Sequence, residues 1–155
     1  MWTAVKTPCI GICSTALGDD VCRGCKRYAQ EVIDWNSYSI VQQQRIEERL
    51  VTLLTQLIQN KIHVTDEALL RWQISVQAVD VPKHRNVYCQ AYALIKAGAK
   101  QISTLEAFGL CLQPEYRSQS VAQICHDIDA EFYALSVAYY QRAFRPAFIT
   151  PMSSS

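Results

Sequence analysis

Four cysteines lie close together near the start of the chain and are the residues best suited to carry chemistry. Cys9 and Cys13 form a C-x3-C pair in PCIGIC, and after eight residues Cys22 and Cys25 form a C-x2-C pair in VCRGC. Structural zinc sites use four such ligands in a tetrahedron, which two short chelating turns joined by a tight loop can supply. The spacing therefore predicts one metal site with these four thiolates as its ligands.

The four thiolates do not by themselves identify the metal. They suit zinc, and they also suit an iron–sulfur cluster. Cluster cysteines are usually spread more widely and include one from a distant position, whereas all four cysteines here lie within 17 residues. We therefore expect structural zinc, with an iron–sulfur cluster as the alternative.

Basic residues accompany the second cysteine pair. Zn²⁺ with four thiolates carries a net charge of about −2, so we expect Arg23, Lys26 and Arg27 to offset it. Cys25 also falls at the start of a predicted helix, whose positive end would favour its thiolate. These cations additionally suggest nucleic-acid binding by a zinc module as a weaker hypothesis, although a net charge of +1 argues against it.

The segments around the cysteines resemble a known family. PCIGIC, CRGCKR, EVIDW and the helix headed by Ser39 are similar to the bacterial DUF1289 family, whose small members are often labelled predicted iron–sulfur proteins. The resemblance covers about residues 8–50 and includes Pro8, Glu31 and Trp35 as well as the cysteines. It implies the four-cysteine site but no activity, and the region from about His63 onward has no such match.

Composition and charge narrow the class of protein. The chain has 155 residues, half of them hydrophobic and 19% charged, which is typical of a folded domain. Without an export signal or an apolar stretch long enough to span a bilayer, we expect a cytoplasmic location and no membrane partner. Closely spaced cysteines in that reducing compartment are more often ligands than disulfides, and we expect the remaining three, Cys89, Cys111 and Cys125, to be small buried hydrophobes.

Helices must then position the cysteines. Apolar spacing and capping residues predict six of them: from Lys26 to about Trp35, Ser39 to Asn60, about Asp66 to Asp80, about His84 to Gly98, Ser103 to Leu112, and Ser120 to a stop at Pro146. No alternating pattern is long enough to predict a sheet. An aromatic-rich end, with Tyr133, Tyr139, Tyr140, Phe144 and Phe148, is expected to be core or a packing surface, with a groove for a partner as the alternative.

These patterns predict an all-α protein in which an N-terminal four-cysteine metal knuckle leads into a bundle of about five or six helices. We expect a metal module with its two helices over 1–60, a helical domain over 61–145 and a tail over 146–155. No catalytic arrangement of side chains can be assembled from the chain order, so an enzyme is unsupported. The expected function is that of a non-catalytic interaction or regulatory module that binds zinc and a partner protein, with an iron–sulfur electron carrier or redox/iron sensor as the alternative.

Overall fold

A computed structural model of the protein describes residues 5–11 and 13–144. Over these residues the chain is mainly helical, as predicted, with a small two-stranded sheet that was not predicted. The elements are α1 (Ala29–Asp34), α2 (Ile40–Gln59), β1 (Ile62–Val64), α3 (Glu67–Gln77), α4 (Val87–Ala97), β2 (Leu110–Leu112) and α5 (Val121–Phe144), with short 3-10 turns at Ser14–Leu17, Trp35–Ser37, Leu105–Phe108 and Pro114–Tyr116. Within the described ranges no helix is long and apolar enough to cross a bilayer.

The chain divides into two compact units, which are described separately. The first combines residues 1–50 with residues 131–155, and the second contains residues 51–130. The boundaries between the two units fall inside α2 and α5. The first unit contains all four cysteines of the predicted metal site.

Two capping arrangements start the helices of the first unit. The Glu31 carboxylate accepts a hydrogen bond from the Tyr28 amide at 2.9 Å and closes a capping box on α1. At the start of α2, which was predicted at Ser39, the Ser39 hydroxyl and the Gln42 side chain each accept a hydrogen bond from the other residue's amide and form a capping box. The buried hydrophobic side chains of this unit include Val21, Tyr28, Trp35, Ile46, Leu50 and Phe132.

The second unit is built on the pairing of β1 with β2. The strands run antiparallel with Ile62 opposite Leu112 and Val64 opposite Leu110. Asp66 caps α3 by accepting a hydrogen bond from the Leu69 amide at 3.0 Å, close to the predicted start of this helix. The large side chains of this unit that are fully buried are Ile58, Ile62, Leu70, Leu94, Ile95, Leu110, Ile124 and Ile128.

Two predicted helices differ from the structure. The helix expected from Ser103 to Leu112 is a 3-10 turn at Leu105–Phe108 followed by β2, because Gly109 adopts a left-handed conformation with φ of 74° and ends the turn. The first helix begins at Ala29 rather than Lys26, because residues 22–27 form a tight turn. The expected tail at 146–155, with Phe148, lies outside the described residues.

Candidate metal site

The second cysteine pair lies in a tight backbone turn. The Lys26 amide donates to the Cys22 carbonyl at 2.8 Å, and the Cys22 amide donates to the Arg27 carbonyl at 2.9 Å. A bridge between Val21 and Tyr28 closes the turn at its base. Lys26 adopts φ of 65°, a left-handed conformation that a lysine rarely takes and that the surrounding hydrogen bonds hold in place. The turn is therefore strongly constrained around its two cysteines.

Backbone amides converge on the sulfur of Cys22. Burial by itself would raise the pKa of this thiol, but hydrogen bonds from the amides of Cys25, Ser14 and Gly24 and from the Cys25 side chain lower it to about 7. The two thiols of the C-x2-C pair are thus in hydrogen-bonding contact. Since a thiolate is the form that binds a metal, this environment suits a metal ligand.

Cys25 has a different environment. Burial raises its pKa, and hydrogen bonds and charge from Arg27 oppose that rise only in part. The Arg27 Nε donates to the Cys25 sulfur at 3.3 Å. The expected contribution of a helix N-terminus is absent at this cysteine, because α1 begins four residues later at Ala29. A buried guanidinium therefore contacts Cys25 where the sequence suggested a helix dipole.

The first cysteine pair is less enclosed. Cys9 is exposed, and its sulfur accepts a hydrogen bond from the Gly11 amide at 3.3 Å, in a turn where Gly11 has φ of 92°. The half-buried Cys13 sulfur lies 2.9 Å from the Thr15 hydroxyl. Gly11 therefore shapes the turn between the two cysteines.

Ser14 links the two cysteine segments and was not singled out from the sequence. Its amide donates to the Cys22 sulfur, and its buried hydroxyl accepts a hydrogen bond from the Arg23 amide at 2.8 Å. The residue next to Cys13 is therefore attached to the second pair by both its backbone and its side chain. A serine directly after a cysteine is a weak signal, so the sequence alone could not have identified this link.

The structure brings together two of the four predicted ligands, Cys22 and Cys25. Among the residues that the structure describes, no group of three or more histidine, cysteine, aspartate or glutamate side chains is close enough to hold a metal ion. None of the seven cysteines, all of which are described, forms a disulfide bond. The four-cysteine site stays a prediction, and Cys89 and Cys125 are buried as expected while Cys111 is half-buried.

Aromatic side chains of α5 pack against the second cysteine turn. Tyr28 makes edge-to-face contacts with Tyr140 and Phe144, with ring centroids 5.3 and 5.7 Å apart. Arg23 lies over the Tyr133 ring at 4.8 Å, and the Lys26 ammonium lies 5.4 Å from the centre of the Phe132 ring. The aromatic-rich end of the chain therefore forms a packing surface for this turn, one of the uses that the sequence suggested.

The three cations beside the cysteines occupy different environments. Lys26 and Arg27 are almost fully buried, whereas the Arg23 side chain is 66% exposed and pairs with Asp19 at 3.2 Å. The nucleic-acid hypothesis depends on all three being at the surface. Only Arg23 is at the surface, which argues against that hypothesis.

Comparisons with known proteins give a match for the cysteine segment. Residues 7–53 match the model of the family described as "Protein of unknown function (DUF1289)", which confirms the resemblance over the part of the chain where it was expected. No curated protein and no solved structure matches the chain. The matched segment contains the four cysteines, Arg27, the Glu31 cap and all of the first unit's part of α2.

Proposed function

We propose that this protein is a cytoplasmic zinc protein in which Cys9, Cys13, Cys22 and Cys25 hold one structural metal ion. The observation that carries the proposal is the Cys22–Cys25 turn, whose amides and thiols converge on the Cys22 sulfur. A buried sulfur that accepts several amide hydrogen bonds is arranged to carry negative charge, which a metal-binding thiolate needs. The donor set therefore fits a thiolate-binding metal.

The metal would supply a cross-link rather than chemistry. A structural zinc ion stabilises a fold by joining ligands that are otherwise only loosely connected, and the free energy of binding becomes free energy of folding. Cys22 and Cys25 would contribute the preformed half of the site. The Cys9–Cys13 segment would contribute the other half, and Ser14 already connects it to Cys22.

The proposed role of the module is non-catalytic binding of a partner protein. Two apolar residues, Ile10 beside Cys9 and Leu17 between the cysteine pairs, are exposed, and the Leu17 side chain is 89% accessible. Because these two residues lie among the four cysteines in the sequence, they would be the contacts offered to a partner protein. This supports an interaction or regulatory module in which the metal holds the contact residues in place.

The test is metal and absorption analysis of full-length protein purified without oxygen. The proposal predicts a colourless protein with one zinc per chain, lost in Cys22→Ser and kept in the control Cys111→Ser. Cys111 is a half-buried cysteine in β2, far from the turn in sequence. Iron with sulfide and a brown colour would contradict the zinc proposal and support the iron–sulfur alternative. Protein that contains no metal after growth in metal-rich medium would contradict both.

A further inference from the structure

Arg27 combines an unusual degree of burial with an unusual partner. Only 3% of the residue is accessible, yet its guanidinium always carries a positive charge at physiological pH. Its Nε donates to the Cys25 sulfur at 3.3 Å, and its guanidinium carbon lies 4.9 Å from the centre of the Trp35 ring. In the described part of the chain no carboxylate pairs with Arg27, so its only potential anionic partner there is the sulfur of Cys25.

A buried charge of this kind needs a compensating charge. Burying a cation without an anion is energetically unfavourable, and a neutral thiol compensates it poorly. A zinc ion with four thiolates, by contrast, carries a net charge of about −2 that itself needs nearby positive charge. The two requirements are complementary when the guanidinium contacts a sulfur that binds the metal.

We infer that Arg27 is a positioning residue for the metal, which orients Cys25 as a ligand and provides the internal counter-charge of the metal–thiolate centre. This inference rests on the proposed metal site. It adds that the affinity and electronic character of the site depend on one buried residue outside the set of ligands. Residues in that position commonly change metal affinity by 10–100-fold when they are replaced.

The same turn contains a matched control. Arg23 lies between Cys22 and Cys25 in sequence and carries the same charge, but its side chain is 66% exposed and pairs with Asp19. If only the long-range effect of charge mattered, replacing either arginine would change the zinc affinity by a similar factor. An effect that depends on contact with the Cys25 sulfur would separate them.

The affinity of the full-length protein for zinc tests the inference, measured in competition with a chromophoric chelator. Arg27→Gln is expected to bind zinc about 10–100-fold more weakly than the wild type. Arg23→Gln should stay within about threefold, as is usual for a solvent-exposed charge. Equal affinity of Arg27→Gln and wild type would overturn the inference and leave the metal site intact, whereas a wild type that binds no zinc would contradict the proposed function itself.

A spectroscopic readout separates positioning from a general effect on folding. With cobalt(II) in place of zinc, the thiolate-to-metal charge-transfer band should move to lower energy in Arg27→Gln, because a sulfur that loses a hydrogen bond becomes easier to oxidise. Arg23→Gln should leave the band in place. An unchanged band in a folded Arg27→Gln variant would show that the guanidinium does not act on the bound Cys25.

Arg27→Lys provides a second test in case Arg27→Gln does not fold. It keeps the charge but lacks the planar guanidinium that contacts both Cys25 and Trp35. Its zinc affinity should fall between that of the wild type and that of Arg27→Gln. Full wild-type affinity and an unshifted cobalt band in Arg27→Lys would show that the specific hydrogen bond is not needed and would refute the positioning role.

Discussion

The ion pair between Glu31 and Arg49 provides a quantitative test of how the first unit is held together. Two short hydrogen bonds, each 2.6 Å, join the Glu31 carboxylate of α1 to the Arg49 guanidinium of α2. The same guanidinium lies 4.1 Å from the centre of the Tyr28 ring, and Glu31 also accepts the Tyr28 amide. The pair therefore connects the helix that follows the cysteine turn to α2.

The expected size of the coupling follows from the burial of the pair. The Arg49 and Glu31 side chains are 31% and 12% exposed. Exposed pairs contribute about 0.2–1 kcal/mol and disrupting a fully buried pair costs about 3–5 kcal/mol, so a bidentate pair between these limits should contribute about 2 kcal/mol. Glu31→Ala should cost about 1 kcal/mol more than Arg49→Met, because only the first change also removes a helix cap.

A double-mutant cycle on urea unfolding of the full-length protein measures this coupling. The chain contains its own control, since Glu67 and Arg71 in α3 also approach to 2.6 Å but are 54% and 57% exposed. The Glu67→Ala and Arg71→Met cycle should give about 0.5 kcal/mol, as for other helical pairs one turn apart. A coupling between Glu31 and Arg49 no larger than this control would show that burial does not strengthen the pair.

Two further predictions concern the second unit and use the same unfolding assay. Gly109→Ala should destabilise the protein by about 3 kcal/mol or more, because Gly109 is left-handed and a Cβ there would collide with the Asp66 carbonyl. Gly18 of the first unit is also left-handed but has no atom near a new Cβ, so Gly18→Ala should cost only about 1 kcal/mol. Similar losses in the two variants would disprove the steric cause. Burial raises the pKa of the Cys125 thiol from 9.0 to about 11, with Lys96 opposing the rise. The thiol therefore ionises at lower pH in the unfolded chain than in the fold, and its contribution to the free energy of unfolding, full below pH 9.0, is lost as the pH rises through about 11. The wild type should lose on the order of 2 kcal/mol more than Cys125→Ala over that range, and parallel curves would contradict the assignment.

The helices could largely be predicted because their signals are local. The capping box of Ser39 and Gln42, the cap at Asp66 and the apolar stripe from Val121 to Phe132 each lie within a few turns of the helix they define. The sheet could not be predicted in the same way. Its strands are three residues each, too short to show an alternating pattern, and their partners are far apart in the chain.

The candidate site could likewise be predicted only where its signals are local in the sequence. The spacing of Cys22 and Cys25 predicts a chelating turn, and the structure contains a turn that brings these two thiols together. The different burial of Arg23 and Arg27 could not be predicted, because it depends on Trp35 and on aromatic residues of α5 more than 100 positions away. A sequence pattern identifies possible ligands, whereas their environment is set by contacts that are distant in the chain.

The most direct test of the four-cysteine site is X-ray absorption at the zinc edge of the full-length protein loaded with one equivalent of zinc. A four-cysteine zinc site should give a single shell of four sulfur atoms at about 2.3 Å, which becomes a shell with fewer sulfurs when Cys9 or Cys13 is replaced by serine. A wild-type spectrum with only two sulfurs and lighter atoms in the other positions, unchanged by those substitutions, would contradict it.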